Sequence, residues 1–268
     1  AGNNTDVYVV AVDYNFLQQY STQTGQVGEL LSSIYGSKVR QDLVAFNTAT
    51  GRVTDFNANV EACSGGSTVY SLEYDSTDNS LYFGGHIIFV QDVVRNGMAK
   101  VNAVTGELNT DFDPNITWND GVNDICSEVY DITLHENTIY AAGNFDQVNN
   151  GATARNNFAA FETEEGLVDE DFIPNVRDTV YSIAYDGSGV IYAGGSFSQV
   201  NGNISRSEIA SFRITDGRVT LFNPNIQNPD PVYSITIAGN GSKLYVGGSF
   251  NSVGGATRRG LAVFAQTD

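Results

Sequence analysis

Arg40, Arg95, Arg155, Arg206 and Arg258 each stand four residues ahead of an alanine or valine, in equivalent places along the chain. Five such guanidiniums allow two chemistries. They can form a ring of anion or sugar contacts. Alternatively, each ties a loop to backbone carbonyls or to a nearby acid such as Asp55, Asp111 or Asp171, since the guanidinium fork suits carboxylates. Part-buried polar groups normally serve hydrogen-bond satisfaction, which favours the second reading.

Other reactive residues are sparse. His86 and His135 are the only histidines, with no cysteine or second histidine beside either, and no GxSxG or HExxH motif is present. A hydrolytic triad or a zinc site therefore has no sequence support. Asp75 and Asp78, and the acid runs 162–165 and 169–171, offer hard oxygens for Ca2+ but lack EF-hand spacing. No other cofactor is expected. Cys63 and Cys126 lead into neighbouring repeats, so they are candidates for a disulfide and, with it, an oxidising home. Asn3, Asn115, Asn203 and Asn240 head N-glycosylation sequons. Trp118, in an insertion, can stack on a sugar or cap a core edge.

The elements that position these residues come from an internal repeat. A Val-Tyr pair occurs at residues 7, 69, 129, 180 and 232, spaced 62, 60, 51 and 52 apart. It is read as opening a strand a in each copy. A strand b follows as LYFGGHI (81–87), IYAAGNF (139–145), IYAGGSF (191–197) and LYVGGSF (244–250). Strand c covers 43–46, 98–101, 158–161, 209–212 and 261–264, and strand d closes on FNANV, FDPNI, FIPNV and FNPNI. The a–b turns are rich in Asp, Asn, Gly and Ser, and Gly51, Gly106, Gly166 and Gly217 recur in the c–d turns.

A lone four-stranded sheet leaves both faces uncovered, so the copies must stack, and radial stacking gives a β-propeller. The expected fold is all-β: one domain over 1–268 with five four-stranded blades, spanning about 7–60, 61–116, 117–176, 177–226 and 227–268. The last blade lacks its outer strand, and its open edge calls for a further repeat or a partner chain. Paired small residues in strand b fit close approach of neighbouring blades.

The phrases IYAGGSFSQVNGNISRSEIASF and LYVGGSFNSVGGATRRGLAVF, with DGRVTLFNPNI between them, resemble the delta-60 repeat family of bacterial propeller-like proteins. The likeness covers 61–268; copy 1 departs from it over 14–42, which is longer and lacks the Gly-Gly signature. It implies a large extracellular protein, often adhesive or structural, without a single chemistry.

Charge narrows the function further. With 31 acidic residues against 13 basic and a net charge of −18, the surface repels nucleic acid and anionic lipid. No apolar run is long enough to span a membrane as a helix. The leading expectation is a non-catalytic extracellular or cell-surface module, structural or adhesive, of the kind that serves as a subunit of a surface assembly or filament, with protein chains or further repeats as partners. A lectin-like propeller binding glycans is the alternative. A propeller-type lyase or glycosidase ranks third, because paired carboxylates are too numerous to single out a dyad.

Overall fold

Strands b and c are apolar along most of their length, as in Thr138–Asn144 and Phe158–Glu162, so both of their faces need cover. The structure, a computed structural model, describes residues 6–10, 42–50, 52–62, 68–119, 124–227, 231–238 and 243–265. These residues are all-β, and none is helical.

Four copies form a meander in the order a-b-c. In copy 2 the strands are Thr68–Asp75, Ser80–Val90 and Met98–Asn102. Copy 3 has Glu128–His135, Thr138–Asn144 and Phe158–Glu162. Copy 4 has Val180–Tyr185, Val190–Gly195 and Ile209–Arg213. Copy 5 has Val232–Ile237, Lys243–Gly248 and Leu261–Ala265.

Copy 1 corrects an expectation. Its strand Asp6–Val10 pairs directly with strand c, Leu43–Asn47, through Asp6↔Asn47. That is the register in which strand b of copy 2 meets strand c, through Ser80↔Asn102. The Val7-Tyr8 pair therefore belongs to strand b, not strand a. Both strands open with an aliphatic residue and a tyrosine, so the dipeptide alone does not separate them.

The expected four-stranded sheets also differ. Strand d is reduced to one bridge on strand c: Phe46↔Val53, Val101↔Leu108, Phe161↔Val168 and Phe212↔Val219. The cause is local. Directly after each bridge the side-chain oxygens of Thr54, Asn109, Asp169 and Thr220 accept the amides of Phe56, Phe112, Phe172 and Phe222 and turn the chain off strand c, and Asn59, Asn115, Asn175 and Asn225 follow in the left-handed region at φ 47°, 41°, 43° and 52°. The chain then pairs with the b–c hairpin of the following copy, as in Thr117↔Gln147 and Ile226↔Val253.

The four core clusters each join two consecutive copies. None of them joins copy 5 to copy 1, so the arrangement is not closed into a ring among the described residues. In the core between copies 2 and 3, Tyr82, Met98 and Phe112 meet Val129, Ile132, Ile139 and Phe161. The first small residue of strand b is the socket. A Cβ on Gly84 would lie 2.6 Å from Val129 Cγ1, and one on Gly194 2.4 Å from Val232 Cγ1. On copy 5 the same face is uncovered: Leu261 is 61% exposed where its counterpart Ile209 is 0%.

These sockets are testable. Gly194→Val forces an overlap with Val232 and is expected to destabilise the chain by about 1–3 kcal/mol. Gly247→Val, whose Cβ would meet nothing closer than 3.8 Å, is expected to leave stability unchanged or slightly raised. Urea unfolding of both variants compares them.

Candidate functional site

The recurrent arginines come first. Arg95 and Arg155 are buried, Arg206 is partly so and Arg258 is exposed. Each donates from Nη1 to the carbonyl of the residue before it: Val94 at 2.7 Å, Ala154 at 2.9 Å, Ser205 at 2.8 Å and Thr257 at 2.9 Å. In copies 2 to 4, Nη2 reaches a carbonyl beyond the c–d turn: Thr110 at 2.8 Å, Asp169 at 3.3 Å and Thr220 at 2.7 Å. Acids contribute at Asp113, 3.6 Å from Arg95, and Glu170, 3.0 Å from Arg155, rather than at Asp111 or Asp171. The guanidiniums of copies 2 to 4 are loop clamps. Arg40 lies outside the described residues.

The weak Ca2+ candidates are also occupied. Asp75 accepts from the amide and hydroxyl of Thr77 at 2.8 and 2.6 Å. Asp78 pairs with Lys100 at 2.9 Å. Burial raises the Asp78 carboxyl, but the Lys100 ammonium outweighs it and holds the group below its usual range. Lys100 in turn donates to the Thr163 carbonyl of copy 3 at 2.9 Å, joined there by the Tyr82 hydroxyl at 3.1 Å. The 162–165 acids cap a turn, with Glu162 accepting the amides of Glu164, Glu165 and Leu167. Among the described residues no three metal-ligating side chains converge.

Asn115 is 6% exposed; it accepts from Asn96 at 2.9 Å and donates to Asn150, so its amide is engaged in packing. Asn203 is exposed on the b–c turn. Trp118 is 37% exposed on the strand Thr117–Asn119. His135 Nε2 lies 3.2 Å from the Tyr185 hydroxyl, and His86 is half-buried opposite Thr68. Cys63, Asn3 and Asn240 lie outside the described residues, as does the Cys126 side chain, so the proposed disulfide lies there too.

What sequence reasoning missed is a polar ladder along strand a. The edge of strand a that strand b does not use carries free amides, and these are met by side chains of the preceding copy. Ile132 N donates to Ser71 Oγ at 3.2 Å, Leu134 N to Glu73 Oε1 at 3.4 Å, Ile183 N to Asp131 Oδ2 at 2.8 Å and Ile235 N to Ser182 Oγ at 3.2 Å. Ser71 and Ser182 also donate to the two Asp131 oxygens, each at 3.1 Å. Asp131 thus links copies 2, 3 and 4. Burial pushes its carboxyl above the usual range despite these bonds, and burial likewise raises Glu73, with the Asp131 charge adding to it. The signal was present in the sequence: Ser71, Asp131, Ser182 and Ser234 all follow the Val-Tyr pair.

No protein family and no characterised protein matches the sequence. Among solved structures the chain is similar to the Cps50 (Swd1) β-propeller domain of Myceliophteria thermophila, at 12% identity and TM-score 0.48, covering 77% of this chain and 55% of that one. It is also similar to the extracellular domain of BT4673 of B. thetaiotaomicron, at 13% identity and TM-score 0.45, covering 79% of this chain and 23% of that one. The computationally designed Ika4 protein matches at 12% identity and TM-score 0.44, covering 76% of this chain and 95% of that one. The chain therefore spans about half of the first structure and under a quarter of the second.

The ladder makes Asp131 a test position. Asp131→Ala leaves the Ile183 amide without its acceptor and is expected to cost about 1–3 kcal/mol. Asp131→Ser restores the residue used at Ser71 and Ser182. Because the folded pKa is raised, the carboxyl's contribution is complete below the usual carboxylate range and falls away as pH rises through the folded value. Asp131→Ser is therefore expected to gain more over the parent at about pH 8 than at about pH 4, read by denaturant unfolding at both.

Proposed function

We propose that the chain is a non-catalytic extracellular module, structural or adhesive, of the delta-60 type. Its copies act as five propeller-type blades. One observation carries this reading: among the described residues the polar side chains that recur copy by copy are engaged within the structure and do not converge on one place, although the buried Nε of Arg95, Arg155 and Arg206 has no hydrogen-bond partner. The arginines of copies 2 to 4 clamp loops, and the Ser/Asp ladder caps strand edges. An active site requires polar groups left over for substrate and converging on one place. Net charge supports the setting, since −18 keeps an exposed repeat protein soluble and off nucleic acid.

A carbohydrate-binding role is the second reading, favoured by aromatic side chains left in solvent, with Tyr233 at 54% and Trp118 at 37% exposure. Two experiments decide the main proposal. Immunogold labelling of intact source cells is expected to place the chain outside the cell; label confined to the cytosol overturns the extracellular assignment. Incubation with a panel of polysaccharides is expected to give no cleavage products, and turnover of any one of them overturns the non-catalytic one.

A further inference from the structure

Four tyrosines that neither the clamps nor the ladder uses stand in a row. Tyr70, Tyr130, Tyr181 and Tyr233 follow the valine that opens strand a in copies 2 to 5. Successive ring centroids are 5.1, 5.3 and 5.6 Å apart, with interplanar angles of 40°, 54° and 49°. Neighbouring rings are tilted rather than stacked, and each keeps part of its surface exposed. Tyr70 is 37% and Tyr233 54% exposed at the two ends, and the middle pair is half-buried.

The row depends on a device repeated in copies 2 to 5. Strand a shifts register at each of these tyrosines, between Val69 and Ser71, Val129 and Asp131, Val180 and Ser182, and Val232 and Ser234. A bulge of this kind re-aims a side chain out of the regular pleat. It needs room opposite, and the second glycine of strand b provides it. A Cβ on Gly143, Gly195 or Gly248 would sit 1.9, 2.1 or 2.3 Å from the carbonyl oxygen of Glu128, Thr179 or Pro231. Each of these copies therefore commits a side-chain-free position to holding its tyrosine where it is.

The chemistry along the row is aromatic surface edged by hydroxyls, with one carboxylate. Glu128 accepts the Tyr130 hydroxyl at 2.5 Å. Sugar rings present apolar C–H faces to aromatic rings and hydroxyls to such neighbours. The −18 net charge disfavours an anionic polymer. A Pro-rich peptide also docks on aromatic residues, but the regular step of 5.1 to 5.6 Å between rings suits one sugar unit per copy. We propose that the tyrosine row is a binding track for a neutral, extended glycan. The inference rests on this geometry alone, not on the cellular location or the structural role proposed above.

Calorimetric titration of the full chain with cellohexaose, laminarihexaose, mannohexaose and chitohexaose tests it, with a proline decamer as the rival ligand. At least one hexasaccharide is expected to bind, more tightly than its own disaccharide. Tyr181→Ala is expected to weaken that binding by about tenfold or more, as loss of one aromatic contact would, while Tyr181→Phe stays within about threefold. Tyr233→Ala, at the exposed end, gives a smaller loss in a folded chain and carries the test should Tyr181→Ala unfold. Silence with all four sugars, binding to the decamer alone, or sugar binding indifferent to both alanine variants overturns the track. None of these outcomes bears on where the chain resides or whether it cleaves polysaccharide.

Discussion

The unpaired edge of strand a is the constraint on which the rest depends. A sheet edge exposes amides and carbonyls that invite foreign strands, and buried amides must find partners. Here the partner is always the previous copy: Ser71 for Ile132, Asp131 for Ile183 and Ser182 for Ile235. Edge protection and copy-to-copy adhesion are therefore the same interaction. The valine of strand a then drops onto the small residue of the preceding strand b, as Val129 does on Gly84, and the cores close between sheets. No copy has a core of its own, so stability resides in the interfaces, as in other repeat proteins.

The outer side of the stack obeys the same logic with different chemistry. The b–c turn carries an amide side chain that reaches both the preceding copy and its own c–d turn. Gln91 donates to Asn57 and Gly106 carbonyls, and Asn201 donates to Ile173, Pro174 and Gly217 carbonyls. Gly106 and Gly217, at φ 80° and 64°, lie against the preceding copy so closely that a Cβ would come within 2.5 Å of its backbone. The turn conformation alone would explain a glycine; the backbone contact adds a second reason.

Much of this was legible in the sequence. The repeat, the strand types, the small residues of strand b and the clamp reading of the arginines all followed from spacing and residue class. Two features were not. Val7-Tyr8 reads as strand a because both a and b open with an aliphatic residue and a tyrosine, and only the Asp6↔Asn47 register shows which strand it is. Strand d looked regular because its Phe and Asn recur, yet a side-chain-to-amide turn at Thr54, Asn109, Asp169 and Thr220 takes the chain off strand c after one bridge. In both cases the decisive quantity is hydrogen-bond register, which residue type leaves open.

The glycine pair of strand b shows how scaffold and surface are coupled. Its first member faces the next copy and takes the valine that locks the interface; its second faces its own strand a and admits the carbonyl that makes the bulge. Replacing the first would loosen the stack, while replacing the second would straighten strand a and return the tyrosine to the pleat. Adjacent residues in a strand point to opposite faces, so one dipeptide meets both demands, as Gly-Gly in copies 2, 4 and 5 and as Ala142-Gly143 in copy 3. Copies 2 to 5 are thus held together and made to present a row of tyrosines by a single short motif. Any change in the spacing between copies would alter the row along with the core.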